Sequence, residues 1–250
     1  MGTCMASGGI GYAMVHYPHD SRRRRWREMI LSRIREPVAT IADQHRQGVW
    51  ATTLRAYKHL LEARLDHTHH LILQDDLIPS LGFCNAIESF TRERPERITS
   101  IFSFKRKLLL TMQQKGIRWS VSPNVVYGGS TILPAAVSAE FLEFAATLRP
   151  DYEHDDSALA MFLREAGYEV YMCAPNLLQH LGHSSSLLGH NNRTHVSAYF
   201  APDASRIDYT EGLDDPIRAP GFTWSHAREM EKAKRGIVMD RLAGRTEDVS

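Results

Sequence analysis

Apolar and polar positions change rhythm several times along the chain, and each change marks an element. Residues 10–17, IGYAMVHY, form a short apolar run stopped by Pro18 and Asp20, the pattern of a buried strand. In SRRRRWREMILSRI, Trp26, Met29, Ile30 and Ile34 recur on one helical face behind Asp20 or Ser21 as N-cap, which predicts a helix. PVATIAD predicts a second strand ending at Asp43. GVWATTLRAYKHLLEARL predicts a second helix from the spacing of Trp50, Leu54, Tyr57, Leu61 and Leu65. HHLILQDD then predicts a third strand, GFCNAIESFTRE a short helix and ITSIFSF a fourth strand. This alternation predicts an α/β domain with a parallel sheet, whose functional groups gather at the carboxyl ends of the strands. Asp43 and the pair Asp75–Asp76 stand at such ends.

Farther along, the rhythm is less regular. GIRWSVSP and VVYGGSTILP predict strands bounding a Gly-Gly turn, and AAVSAEFLEFAATL predicts a helix. DDSALAMFLREAG predicts another, with aspartates at its start and Gly167 at its end, and YEVYMCAP a returning strand. From about residue 203 the chain turns polar and Pro-punctuated, then closes on the charged helical pattern SHAREMEKAKRGIVMDRLA. The chain divides accordingly into one α/β domain over residues 1–202 and a C-terminal helical extension over 203–250, which packs on the domain or mediates self-association into a homo-oligomer.

Composition narrows the classes. At 250 residues and 43% hydrophobic, the chain can bury one large core. Thirty basic residues against 29 acidic ones give a net charge of +1, so no global field advertises a nucleic acid or a membrane, and local clusters must carry any such role. The three cysteines, Cys4, Cys84 and Cys173, are widely spaced and odd in number, which points to a reducing compartment and inert thiols. No apolar stretch reaches the roughly 18–20 residues of a membrane span. The start, MGTCMASGGIGYAMVHYP, lacks the pattern of a signal peptide and misses the myristoylation pattern at Ala6. The expectation is a soluble cytoplasmic protein.

Three segments can carry chemistry. An aspartate pair such as Asp75–Asp76 either caps and solvates a loop or faces a divalent cation that cancels the mutual repulsion. In DYEHDDSALAMFLREAGYE, Glu153, Asp155 and Asp156 together exceed what one helix cap needs, and a partly buried carboxylate there suits a general base. In QHLGHSSSLLGH, His180, His183 and His190 surround three serines directly after a predicted strand; imidazole binds transition divalents, and hydroxyl and N–H groups bind phosphate.

Taken in order, these segments resemble the GT-A class of nucleotide-sugar glycosyltransferases across about residues 10–190. LQDDLIP is similar to their DxD or EDD motif, with Gln74 where the first acid usually stands. DDSALAMFLREAGY is similar to the EDTDLGLRLRKAGY pattern of family 2 enzymes and aligns Asp156 with the catalytic aspartate. QHLGHSSSL resembles a QHxGxHSSL segment of N-acetylglucosaminyltransferase IV enzymes, placing His180 on the first histidine. The resemblance implies a Rossmann-like, mostly parallel central sheet with flanking helices, a UDP-sugar or related donor, and Mn²⁺ or Mg²⁺. It implies Asp76 and His180 as metal ligands and Asp75 beside the ribose, the sugar or the ion's waters. Tyr17 at the end of strand 1, Asp43 and Gly48 would hold nucleobase and ribose, Ser184, Ser185 and Ser186 the diphosphate, and Gly128 and Gly129 would let the chain pass close to the sugar. Asp156, with Asp155 beside it, would take the acceptor's proton, giving inversion. Gln74 leaves the donor sugar open.

The basic clusters Arg22 to Arg25 with Arg27, and Lys105, Arg106, Lys107, Lys115 and Arg118, are either solvated surface, diphosphate contacts or a track for a DNA backbone. The chain resembles phage enzymes that glucosylate hydroxymethylated pyrimidines, acting in the host cytoplasm. The expected acceptor is therefore a hydroxymethylated base in DNA, flipped out and stacked on Trp119, Tyr127 or Trp224. A cell-surface glycan or lipid-linked acceptor is the alternative, with RRRRWREMILSRI as a membrane-surface helix. A metal-dependent nuclease or phosphatase would use similar Asp and His clusters but has no need of the Gly-Gly segment.

Overall fold

The computed structural model describes residues 9–63, 66–123, 129–149, 154–181 and 196–219. Alternating side chains build its sheet. In β1 (Ile10–His16), Tyr12 and Met14 enter the core on one face while Ala13 and Val15 enter it on the other. Leu71 and Leu73 part from Ile72 in the same way in β3 (His69–Gln74). Strands buried on both faces are what a helix-covered parallel sheet requires.

β1 pairs in parallel with β3 and with the half-buried edge strand β2 (Val38–Ala42). Beyond β3 the order continues through β7 (Thr131–Pro134), β5 (Ile98–Ser100), β8 (Val170–Cys173), β6 (Trp119–Ser122) and β10 (Ile217–Arg218). β7 is antiparallel to both its neighbours, and β6 is antiparallel to β8, so the eight-stranded sheet is mixed but mostly parallel. The expected third strand ends two residues early, because Asp75 and Asp76 turn the chain into β4 (Leu77–Pro79). β4 leaves the main sheet and pairs antiparallel with β9 (Leu178–His180).

Helices cover both faces. α1 (Ser21–Leu31) and α3 (Phe83–Glu93) send Ile30, Phe83, Ile87 and Phe90 into the core with Tyr12 and Met14. α2 (Gly48–Glu62), α5 (Ala135–Ala145) and α6 (Asp155–Glu165) send Trp50, Tyr57, Phe141 and Phe162 into the core on the opposite face. Asp20 caps α1 by accepting the Arg22 N–H at 2.8 Å. The apolar side of α1, with Ile30 buried and Trp26 packed against the core, is consumed by it, as is Ile34 just beyond the helix, which corrects the idea of a membrane-surface helix. α4 (Arg106–Lys115) was not expected; it buries Leu109 and Met112 and stops at Gly116, whose φ of 65° suits glycine.

Residues 203–219, the first part of the expected extension, join the domain: β10 lengthens the sheet and Tyr209 is buried in the core. The charged helical pattern that follows lies outside the described residues. Trp119 is also core, edge-on to Phe90 and donating Nε1–H to the Tyr209 carbonyl at 3.1 Å, so it cannot stack on a flipped base. Tyr127 and Trp224 lie outside the described residues. Cys84 and Cys173 are unpaired and buried, and burial pushes the Cys173 thiol up to about 12. Among the described residues no helix is long and apolar enough to cross a membrane.

Candidate active site

β3 delivers Gln74, Asp75 and Asp76 to the carboxyl edge of the sheet, and their side chains take different partners. Asp75, only 1% exposed, accepts hydrogen bonds from His16 Nδ1 and the Tyr17 backbone N–H, each at 2.8 Å, both at the end of β1. It also accepts from the guanidinium of Arg23 in the first turn of α1. A second nitrogen of that guanidinium donates to Asp76 Oδ2 at 2.8 Å. Arg23 is itself buried. Burial works against its charge, but Asp76 and Asp75 outweigh that and leave its pKa raised. The repulsion between the adjacent carboxylates is therefore met from within the chain, by one arginine forked across both.

Asp76 keeps one oxygen in reserve: Oδ1 is buried with no hydrogen-bond partner among the described residues. His180 Nε2 lies 3.6 Å from the other oxygen. The small sheet brings His180 there, since β4 starts directly after Asp76 and pairs Leu77 with His180, and the Leu181 N–H donates to the Asp76 carbonyl at 2.9 Å.

Gln74 links this corner to the second acidic segment. Its amide donates to Asp155 Oδ2 at 3.5 Å, and the Thr53 hydroxyl of α2 donates to the same oxygen at 3.2 Å. Gly129 lies against Gln74 with a φ of 72°; a Cβ there would come within 2.6 Å of Gln74 Cγ. Asp155, the first residue of α6, is 8% exposed. Burial and then the neighbouring Asp156 push its carboxyl up to about 6, against opposing hydrogen bonds from the Asp156 N–H and Thr53. Asp156 is exposed and accepts the Ser157 N–H at 2.7 Å.

Asp43 is buried at the end of β2, where its two oxygens accept the N–H groups of Gln47 at 2.7 Å and Gly48 at 2.9 Å. It thereby organises the start of α2. Tyr17 is half-buried and edge-on to His19 at 5.1 Å. Gly128, Glu153, His183, Ser184, Ser185, Ser186 and His190 lie outside the described residues. Arg24, Arg25, Arg106 and Lys107 are exposed at the starts of α1 and α4. These helices follow β1 and β5, which run in the direction of β3, so both starts lie on the edge that carries Asp75 and Asp76. Burial lowers the half-buried Lys105 beside them to about 8.

Sequence patterns had not singled out Arg23, His16 or Thr53. A signal for Arg23 existed: it shares a helix face with Trp26, Ile30 and Ile34, and an arginine on an apolar face demands a carboxylate. Among the described residues no group of three or more His, Cys, Asp and Glu side chains is set to hold a metal by itself. The orphaned Asp76 Oδ1, on a carboxylate whose other oxygen lies 3.6 Å from His180 Nε2, instead fits a cation that takes its other ligands from a phosphate-bearing molecule.

No protein-family model matches the chain, and no curated protein matches it. Among solved structures, the crystal structure of S. aureus TarS 1–349 is similar over 67% of this chain and 59% of that one, with 8% sequence identity and a TM-score of 0.42. The chain thus spans less than two thirds of that structure, and the likeness is slight; strand pairing and helix packing by themselves make this an α/β domain with a mixed, mostly parallel sheet between two helical layers.

Proposed function

We propose that the protein is a metal-dependent glycosyltransferase that moves a sugar from a nucleotide-sugar, a UDP-sugar, to an acceptor hydroxyl with inversion. One observation carries this reading: the tripeptide Gln74–Asp75–Asp76 joins a cation corner, Asp76 Oδ1 with His180, to a buried acid, Asp155. Motif resemblance supports it independently. Asp76 and His180 would hold Mn²⁺ or Mg²⁺, and the bound ion would supply neutralisation of the departing diphosphate. Asp155, with a carboxyl near 6, is mostly ionised at neutral pH yet basic enough to accept a proton from the acceptor hydroxyl. Burial thus favours Asp155 as the base over Asp156, which the motif alignment had put first. Tyr17, Asp43 and Gly48 mark the nucleoside side, Gly128 and Gly129 the sugar side, and Ser184 to Ser186 the diphosphate side of this reading.

The acceptor in this proposal is a hydroxymethylated base in DNA. Arg24, Arg25, Arg106 and Lys107, exposed on the edge that bears the site of an otherwise neutral chain, suit a phosphate backbone. The test is incubation with a panel of nucleotide-sugars and Mn²⁺, followed by transfer of labelled sugar to hydroxymethylated and unmodified DNA. One donor should raise the melting temperature and label only the modified DNA. Absence of any donor effect overturns the transferase reading. Equal labelling of both DNAs, or labelling of a glycan alone, overturns the DNA acceptor.

A further inference from the structure

We infer that Arg23 is a resident counterion that keeps Asp75 out of metal coordination and leaves Asp76 Oδ1 as the one open oxygen of the pair, so that a divalent cation binds firmly only together with a phosphate-bearing ligand. The inference rests on the transferase reading for the identity of that ligand, but not for the role of Arg23.

All four carboxylate oxygens bear on it. Asp75 Oδ2 is taken by His16 and Tyr17, Asp75 Oδ1 and Asp76 Oδ2 by the two arms of Arg23, and Asp76 Oδ1 by nothing among the described residues. Two aspartates and one guanidinium carry a net charge of −1 rather than −2, and the guanidinium lies where an ion shared by both carboxylates would sit. One carboxylate oxygen and one imidazole are too few for a six-coordinate cation, which must complete its shell with water or phosphate oxygens. An arginine cannot shed its proton to vacate the charge.

Mn²⁺ alone is the first probe. In Arg23→Met, which frees Asp75 Oδ1 and Asp76 Oδ2, Mn²⁺ without nucleotide should bind at least about tenfold more tightly than in the native protein and raise the melting temperature accordingly. Unchanged or weaker Mn²⁺ binding in this variant overturns the inference. Should Arg23→Met fail to fold, the decision falls to conservative variants assayed with Mn²⁺ and UDP. Asp75→Asn should stay within about threefold of the native affinity, and Asp76→Asn should lose at least about tenfold. Equal losses in the two variants, or native protein that binds Mn²⁺ as tightly without UDP as with it, overturn the inference. If Arg23→Met gains Mn²⁺ while the native protein binds Mn²⁺ with pyrophosphate but no nucleotide-sugar, the role of Arg23 stands and the transferase reading falls.

Discussion

Of the chain's three Asp-Asp dipeptides, Asp214–Asp215 is exposed, and the other two, Asp75–Asp76 and Asp155–Asp156, meet the cost of adjacent carboxylates in opposite ways. The first pair is buried whole and held by a buried cation, Arg23, with His16 and the Tyr17 N–H completing the shell of Asp75. The second pair is split across the surface: Asp156 stays in water while Asp155 goes inside with no cation beside it among the described residues, and its carboxyl rises to about 6. A counterion fixes geometry and suits binding. Desolvation raises proton affinity and suits proton transfer. The dipeptide is identical, so the different environments come from the flanking segments and from what the fold sets opposite each pair.

The largest expected effect comes from breaking the first pair. Asp75→Ala leaves Arg23 held by Asp76 alone and removes the acceptor of His16 and the Tyr17 N–H, and should cost about 3–5 kcal/mol in denaturant unfolding, whereas exposed Asp156→Ala should stay within about 0.5 kcal/mol. Similar losses in the two variants would erase the contrast between the pairs. Next, Asp155→Asn should lower kcat at least about a hundredfold with donor affinity retained, and Asp156→Asn should lower it far less. The native rate should also fall as acid protonates Asp155, with a limb near pH 6.

A smaller effect concerns stability. Because the folded carboxyl of Asp155 sits above its ordinary 3.8, the unfolded chain releases this proton more readily, and the group destabilises the fold progressively between about pH 4 and 6 and fully above. Asp155→Asn should therefore be more stable than the native protein at pH 7, by about 1–3 kcal/mol, with the difference gone below about pH 4 in melting curves. The smallest effect is that of Gln74→Glu. A carboxylate in place of the amide that faces Asp155 should move the acid limb of the rate profile upward by up to about one pH unit. A fixed limb would mean that Gln74 does not communicate with Asp155.

Long periodic segments were legible in the sequence. α1 and α2 fall where three- and four-residue spacing predicts them, and α3, α5 and α6 fall within the segments that read as helices, because each buries an apolar stripe on the sheet. The three-residue strands β4 and β9 were not, since their pairing joins positions about a hundred residues apart and neither is long enough to show alternation. The antiparallel insertion of β7 between β3 and β5 is likewise a fact of pairing. At the site, the sequence marked Asp75, Asp76, Asp155 and His180 as chemistry-bearing residues. It could not say which of four consecutive arginines turns inward, nor which of two consecutive aspartates does, because burial of one member of a run depends on partners in distant strands.

The short pairing of β4 with β9 has a consequence for how the chain can be edited. Leu77 faces His180, Ile78 faces Gln179 and Pro79 faces Leu178, and these three rungs are the small sheet's whole register. Sliding β9 by one residue would carry His180 about 3.3 Å along the strand and turn it to the other face. Point substitutions in this ladder can be absorbed by repacking, but a single-residue insertion or deletion just ahead of Leu178 cannot. Length, rather than side-chain identity, is the property that must be inherited unchanged between Pro175 and His180.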